Sequence, residues 1–503
     1  MNFRAVASML GLVLLLLAFF LLVPAAVGYY FGESEATSAC LISALVSAAI
    51  GGALSLPNRH RTVSAEGRPD YFRREGLAVV GLAWIVCGAV GALPYLLAGT
   101  FSGFVDAFFE TTSGFTTTGS TVLSPEGIDG LPRAICFWRS FTHWLGGFGI
   151  VMVFVVLFPT GGRSLFRSEI PGIAREAGQQ RVRDSAMGLM RIYLGLSILE
   201  LILLWTTGMG WFDATVHTFG TIATGGFSSH SASVAYFLSW KVELIIVVFM
   251  FMAGINFAIY DVFLRAGPRP AWRRLVGSSE ARLYVGIIVG AILFLTVLLW
   301  FWGGSNGDAT SSLPDYRDLG RALRDSVFQV VCLNTSTGYG TADFDQWPQV
   351  GRLTLMFLAV IGACAGSTGG GLKVIRLVIV AKAAITGVRR FIRPRAIHAV
   401  RVDGQAVDEA SVASITGYFG LWILIFAGGT FVLTAFDLDL ISASTAVLAT
   451  LNNIGPGLAK VGPTLNFAEL PELAKLLLSL FMIFGRLEFY AVVALFVPSF
   501  WRA

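Results

Sequence analysis

The chain reads as an all-α membrane protein, with four tandem helix–pore helix–loop–helix repeats around a pseudo-fourfold pore and two extra transmembrane helices in front. Three observations predict this. First, the 503 residues are 55% hydrophobic and only 13% charged, with a mean hydropathy of +0.72, and runs near the roughly 20 apolar residues that cross a bilayer recur along almost the whole length. Second, arginine-rich segments recur between these runs, and a Lys/Arg bias in short loops marks the cytoplasmic side. Third, each interval between basic segments contains a short, half-apolar piece followed by a polar turn with glycine. No long polar tract is left for a separate soluble domain.

The N-terminal unit spans 1–75. Its first apolar run, 5–30, is longer than the roughly 7–15 residues of a signal-peptide core, so it is expected to be a retained span. A second span at 38–56 follows a short acidic turn, and Arg59, Arg61, Arg68, Arg73 and Arg74 place the next segment in the cytoplasm.

The first repeat, 76–186, has a span at 76–97, a short piece at 104–115, the loop 116–120 and a span at 135–157. Arg163, Arg167, Arg175, Arg181 and Arg183 then return it to the cytoplasm. In the second repeat, 187–282, the corresponding parts are 187–207, 211–222, 223–227 and a long span at 234–263, followed by five arginines between Arg265 and Arg282. The third, 283–410, runs through 283–302, an acidic outer stretch with Asp308, Asp315 and Asp318, then 319–333, the loop 335–340 and 350–381. It ends in a basic segment from Lys382 to Arg401. The fourth, 411–503, contains 415–436, 440–451, the loop 452–457 and 473–497.

A basic segment at every junction forces each unit to start and finish on the same side. Two full spans already do that, so the short piece must dip into the membrane and return. The glycines of the four turns, Gly119, Gly225, Gly338 and Gly455, stand 106, 113 and 117 residues apart. Near-equal spacing of this kind is the mark of an internal repeat.

The third turn reads Thr335-Ser336-Thr337-Gly338-Tyr339-Gly340. Such a run offers backbone carbonyls that replace the hydration shell of K⁺ in potassium-selective filters. Any one Gly/Thr cluster is ordinarily a plain turn. Four at matched spacing are different, because irregular backbone at membrane depth requires burial in protein or a shared water-filled cavity.

Other chemistry is not indicated. Cys40, Cys87, Cys136, Cys332 and Cys364 sit in or beside apolar runs without CxxC spacing, which suits small buried hydrophobes. The histidines, His60, His143, His217, His230 and His398, are scattered, and HExxH does not occur. An enzyme is therefore not expected, and neither is a cofactor.

The glycine-rich stretch 362–373 interrupts the apolar run 350–381. Its Gly366-Ser-Thr-Gly-Gly-Gly-Leu-Lys373 order fails the GxxxxGK[ST] pattern and lies between spans, so it is not a nucleotide-phosphate loop. Arg486 lies in the last apolar run, where a charge is costly and usually functional. The alternative is an ordinary ion pair with Glu488 near the membrane boundary. Lys373 and Arg376 are placed to snorkel to the cytoplasm. Asp106, Glu110, Asp213 and Asp325 lie near the short pieces, where they are expected to cap helices, face the outer water or, for Glu110, buttress the first loop.

The chain resembles the Trk, Ktr and HKT superfamily of potassium transporters, most closely its TrkH-type uptake subunit. The likeness rests on Glu110-Thr-Thr-Ser-Gly-Phe-Thr-Thr-Thr-Gly119, Ala223-Thr-Gly-Gly-Phe-Ser228, Asn334-Thr-Ser-Thr-Gly-Tyr-Gly340, Leu451-Asn-Asn-Ile-Gly-Pro-Gly457 and Gly362-Ala-Cys-Ala-Gly-Ser-Thr-Gly-Gly-Gly371, and on the extra pair of leading spans. It implies a single-chain pseudo-tetramer whose K⁺ selectivity filter comprises Thr117, Thr118, Gly119, Ala223, Thr224, Gly225, Ser336, Thr337, Gly338, Asn453, Ile454 and Gly455. It further implies a gate formed by Gly366, Ser367, Thr368, Gly369, Gly370, Gly371 and Arg486.

By the same likeness the protein is a multi-pass subunit of the bacterial inner membrane with both termini cytoplasmic. It carries out potassium uptake or symport, passes Rb⁺ as well as K⁺, forms a homodimer in the lipid bilayer and is controlled by a cytoplasmic nucleotide-binding subunit of the TrkA type. Nucleic acid is not among the expected partners. A Na⁺-coupled or Na⁺-permeable transporter of the same superfamily is the alternative. A membrane scaffold or intramembrane enzyme would share the hydrophobicity but not the fourfold loop repeat.

Overall fold

The computed structural model describes residues 1–55, 71–149, 179–305, 316–393, 399–487, 489 and 493–501. The arginines at 59, 61 and 68 and at 163–175, together with Asp308, Asp315, Arg395, His60, His398 and Glu488, lie outside the described residues.

Helix Phe3–Phe31 starts at Asn2, whose side chain accepts from the Ala5 amide, and ends at Gly32 with φ 76°. That left-handed residue lets the Glu33 amide reach the Gly28 carbonyl at 2.9 Å, the closure expected at a glycine C-terminus. The chain then turns directly into helix Ser34–Ser55. The two pack closely because Gly11 and Gly51 face each other, each too near the other's carbonyl to admit a side chain, and Ser47 donates to the Leu14 carbonyl at 2.7 Å. Small residues of this kind let membrane helices approach backbone to backbone. The pair is fixed to the first repeat through Glu33, whose carboxylate accepts from the Arg133 and Ala134 amides at 2.7 and 3.0 Å. It thereby satisfies orphan donors at the start of helix Arg133–Phe148.

Four groups follow, each of a helix, a short helix and a second helix. Their first helices are Tyr71–Gly91, Gln179–Thr206, Ser279–Ser305 and Glu409–Thr434, and their second helices Arg133–Phe148, Trp240–Ala253, Gln349–Val360 and Glu472–Leu487. Between them lie the short helices Phe104–Phe115, Trp211–Ile222, Leu319–Asn334 and Leu440–Leu451. Among the described residues, six helices are long and apolar enough to cross a membrane. Large apolar side chains such as Leu45, Phe301, Phe357 and Phe431 stand exposed on the outside, as a lipid-facing surface requires.

Among the described residues, four expected spans are not continuous helices. The run 135–157 ends its helix at Phe148, with Gly149 as the cap at φ 77°, and 150–157 lie outside the described residues. The run 76–97 breaks after Gly91 and resumes as Leu93–Leu97. The run 234–263 divides into Trp240–Ala253 and Phe257–Ala266, bent by 91°. Its bend has identifiable partners: the Gly254 carbonyl accepts from Cys364 N at 3.0 Å, the Phe257 amide donates to Gly366 O at 2.9 Å, and Asn256 caps the new helix by accepting from Ala258 N. The last run ends its helix at Leu487.

The interruption expected at 362–373 is present, between Gln349–Val360 and Val374–Ile392. One feature was not anticipated: within the basic segment after it, Arg401–Val402 and Gln405–Ala406 pair as an antiparallel hairpin. Asp403 and Gly404 both have positive φ at its turn, the Asp-Gly signature of a tight hairpin.

Candidate functional site: a ring of four loops over a glycine-rich loop

The four short helices end in one way. Their C-caps are Thr116, Ala223, Thr335 and Asn452. The next residues, Thr117, Thr224, Ser336 and Asn453, have φ of 54°, 55°, 58° and 54°. The amide of each reaches three residues back, and the amide of the following residue reaches five back: Thr118 to Ser113, Gly225 to Gly220, Thr337 to Cys332 and Ile454 to Ala449, at 2.7–2.9 Å. This is the Schellman closure, which consumes carbonyls the helix end would leave unpaired. The left-handed residue is usually glycine; a β-branched threonine there is uncommon and costs backbone energy. The same cost at equivalent places in loops more than 100 residues apart shows that the surroundings impose the shape.

Two residues beyond each left-handed cap comes a positive-φ glycine: Gly119 at 84°, Gly226 at 80°, Gly338 at 84° and Gly455 at 97°. The second loop therefore differs by one position from the sequence expectation. Gly225 corresponds to Thr118, Thr337 and Ile454, Gly226 is the repeated glycine, and Ala223 is the helix cap. Two adjacent glycines satisfy the motif equally well in sequence, and only backbone dihedrals separate them.

The glycines close a ring. A Cβ on Gly119 would strike the Gly225 carbonyl oxygen; one on Gly226, that of Thr337; one on Gly338, that of Ile454; and one on Gly455 would come within 3.0 Å of the Thr118 carbonyl oxygen. Each loop thus lays its glycine on the middle carbonyl of the next, in the order first, second, third, fourth, first. Only glycine permits both the dihedral and the approach. The short helices converge on this ring with their C-terminal ends, whose partial negative charge favours a cation. On the far side the four glycines line a cavity of about 110 Å³ with Ser120, Thr121 and Ser231.

Polar cross-links hold the loops together. Ser120 Oγ donates to Gly455 O at 2.9 Å, and Asn453 Nδ2 donates to Thr118 Oγ1 and to Met482 O at 2.9 and 2.8 Å. Tyr339 Oη donates to His217 O at 2.9 Å, tying the third loop to the second short helix.

The first two loops share a buried ion pair, Arg139 Nε to Glu110 Oε1 at 2.6 Å. Glu110 also accepts from Thr121 Oγ1 and the Val122 amide. Arg139 donates to Ser228 O at 3.1 Å and lies over the Phe227 ring at 3.6 Å. Glu110 consequently props the loop from behind. The other acids are similarly occupied in the scaffold, Asp106 with Lys475 at 2.6 Å, Asp213 with Ser229 at 2.7 Å and Asp325 beside Arg321 at 3.9 Å.

Beneath the ring lies the loop between Ile361 and Leu372, pinched by a parallel bridge between those two residues. Gly369 and Gly370 press upward, where a Cβ would meet the Thr335 carbonyl oxygen at 3.1 Å and Asn453 Cβ at 3.1 Å, respectively. The Gly370 amide donates to Ser336 Oγ, and Thr224 Oγ1 donates to Thr368 O at 3.1 Å.

Arg486 reaches this loop from the last helix. Its Nη1 donates to Thr368 O and its Nη2 to Gly146 O, both at 3.0 Å. Arg486 is thus placed against the loop and not only at the membrane boundary. Lys373 Nζ donates to the Gly369 carbonyl, so it does not simply extend to the cytoplasm. Glu280 Oε1 accepts from the amides of Ala365 and Ile375 at 2.6 and 3.3 Å, one on each stem of the loop. Gly366 to Gly371 and Arg486 line an inner cavity of about 150 Å³.

Arg139, His143, Gly226 and Glu280 belong to this site but were not singled out for it in the sequence. A signal existed for Arg139, a charge inside an apolar run. Glu280, at the foot of a span, offers none without the loop that it caps.

A family model described as TrkH, cation transport protein, matches residues 38–503. The chain is similar to the Trk system potassium uptake protein TrkH of Salmonella typhimurium, 36% identical with all of both chains covered. It is 35% identical to that of Escherichia coli over the same full extent, and 29% identical to the Trk system potassium uptake protein TrkG of Escherichia coli over 99% of each chain. The crystal structure of the potassium transporter TrkH from Vibrio parahaemolyticus superimposes with a TM-score of 0.86 at 35% identity, covering both chains entirely.

Proposed function

Because the chain belongs to the TrkH family of cation transport proteins, we propose that it takes up K⁺ across a bacterial inner membrane through a selective, gated pore. The observation that carries this reading is the closed ring in which each loop's glycine abuts the next loop's middle carbonyl. Such a ring offers backbone oxygens from all four quadrants to one axial ion, the chemistry by which carbonyls substitute for the water around K⁺.

On this reading the filter is formed by Thr117, Thr118, Gly119, Thr224, Gly225, Gly226, Ser336, Thr337, Gly338, Asn453, Ile454 and Gly455. The loop 366–371 is the gate, held shut by Arg486, and Rb⁺ passes with K⁺. The protein works as a homodimer with cytoplasmic termini under a TrkA-type nucleotide-binding subunit, which the basic loops dock.

The test is flux in reconstituted vesicles. ⁸⁶Rb⁺ or K⁺ should enter and an excess of Na⁺ should compete poorly. Entry of Na⁺ equal to that of K⁺ would favour the Na⁺-permeable alternative, and no cation flux under any regulatory nucleotide would overturn the pore.

A further inference from the structure

The three middle positions Thr118, Thr337 and Ile454 carry side chains that anchor their carbonyls to the scaffold. Thr118 Oγ1 meets Thr116 Oγ1 at 2.7 Å and accepts from Asn453, Thr337 Oγ1 meets Thr335 Oγ1 at 2.8 Å, and Ile454 is fully buried in the apolar core. Gly225 has no side chain, and the space behind it is filled. A Cβ there would collide with the imidazole of His143, coming within 2.6 Å of both Cδ2 and Nδ1.

That imidazole is fully buried. Its Nδ1 is 2.8 Å from Gly114 O. A carbonyl only accepts, so Nδ1 carries the proton and Nε2 is left as an acceptor, for which the described residues provide no donor. The ring packs on Phe227 with centroids 4.1 Å apart. Gly114 belongs to the last turn of the first short helix and accepts the Thr117 amide at 3.1 Å. One ring therefore connects the helix end that shapes the first loop with the middle residue of the second.

We infer that His143 is a selectivity-determining positioning residue: its imidazole takes the place of the side chain missing at Gly225 and holds the Gly225 carbonyl on the ring against Gly119. The inference rests on the filter reading above and adds that the second quadrant is anchored in trans. It follows that volume at His143 and at Gly225 is exchangeable. His143→Ala leaves the Gly225 carbonyl unsupported, whereas Gly225→Thr forces a side chain into the imidazole. The pair His143→Ala with Gly225→Thr restores one side chain to one socket, as in the other three loops.

The experiment is a double-mutant cycle on the full chain in vesicles, reading the K⁺/Na⁺ permeability ratio, with monodispersity in detergent as the folding check. Each single variant should lower the ratio about tenfold, and the double variant should regain most of it, a coupling of the size found for residues in direct contact. His143→Asn, which keeps a donor for Gly114 but not the ring volume, should behave as His143→Ala.

A double variant no better than the worse single, or a fully selective His143→Ala, would overturn the assignment. If Gly225→Thr fails the folding check, the cycle is run with Gly225→Ala and Gly225→Ser on the His143→Ala background, and if His143→Ala fails it, on the His143→Asn background; in either a ratio that does not rise with side-chain size would equally overturn it. Gly338→Ser, run in parallel, separates the two layers. If it lowers the ratio while His143 and Gly225 show no coupling, the filter stands and the His143 proposal falls; if Gly338→Ser is also without effect, the filter reading itself fails.

Discussion

The ring of four loops and the single loop beneath it are built from the same residues, Gly, Ser and Thr, and held by different means. Each quadrant of the ring is locked by its own helix-end closure, by a glycine wedged against the next carbonyl, and by cross-links such as Asn453 to Thr118 and Ser120 to Gly455. The loop at 361–372 has no counterpart in the other repeats among the described residues. Its grip on the rest combines backbone bonds to the bend at 253–257 with individual side chains of distant elements, chiefly Arg486, Thr224, Ser336 and Glu280. Redundant, cyclic constraint suits the fixed geometry that the proposed filter needs; side-chain contacts that can be exchanged one at a time suit the proposed gate.

That contrast is broken most severely from behind the ring. Arg139→Ala leaves Glu110 charged and buried without its partner, which should destabilise the protein by about 3–5 kcal/mol. Thermal unfolding in detergent measures it, and a loss under about 1 kcal/mol would show that the pair is not structural. Gly338→Ser comes next, because its Cβ must displace the Ile454 carbonyl. The K⁺/Na⁺ ratio should fall about tenfold or more, equivalent to roughly 1.4 kcal/mol of discrimination, and an unchanged ratio would place the filter elsewhere.

The inner loop should respond in the opposite sense. Arg486→Ala removes two charge-assisted hydrogen bonds, and flux without the regulator should rise about tenfold, well within the energy such bonds carry. Lower or equal flux at normal protein levels would argue against a closing role. Glu280→Gln keeps an acceptor but loses the charge that both loop stems share; a rise of about threefold is expected in the same assay.

The smallest effect lies outside the membrane. Asp129 accepts from the amide and hydroxyl of Ser231 at 2.8 and 2.6 Å, and these bonds hold its carboxyl below the usual range. A depressed folded-state value stabilises above the ordinary Asp range and loses that contribution as pH falls through the depressed value. Asp129→Asn should therefore cost under about 1 kcal/mol near neutral pH and nothing in strong acid. A difference that persists there would assign the effect to packing.

Much of this was legible in the sequence. Glycines about 110 residues apart suffice to anticipate four like loops, because spacing is a one-dimensional property. The glycine density of 362–373 marked the break in the third repeat for the same reason, since few residues resist a helix more.

The bend at 254–256 was hidden because hydropathy stays high through it, and its cause is a hydrogen-bonding partner in another repeat. The Gly225/Gly226 register was hidden because φ has no letter in the sequence. The Glu110–Arg139 pair and the His143–Gly225 contact join residues far apart in the chain, which only the folded arrangement brings together.

The central claim concerns a place, and the most direct measurement is where the ion sits. Crystals or frozen particles of the protein in Rb⁺, with anomalous or difference density, should show an ion on the axis enclosed by Gly119, Gly226, Gly338 and Gly455, within reach of the carbonyls of Thr118, Gly225, Thr337 and Ile454. An ion bound off that axis, or an axis that stays empty while the same sample transports Rb⁺, would contradict the account.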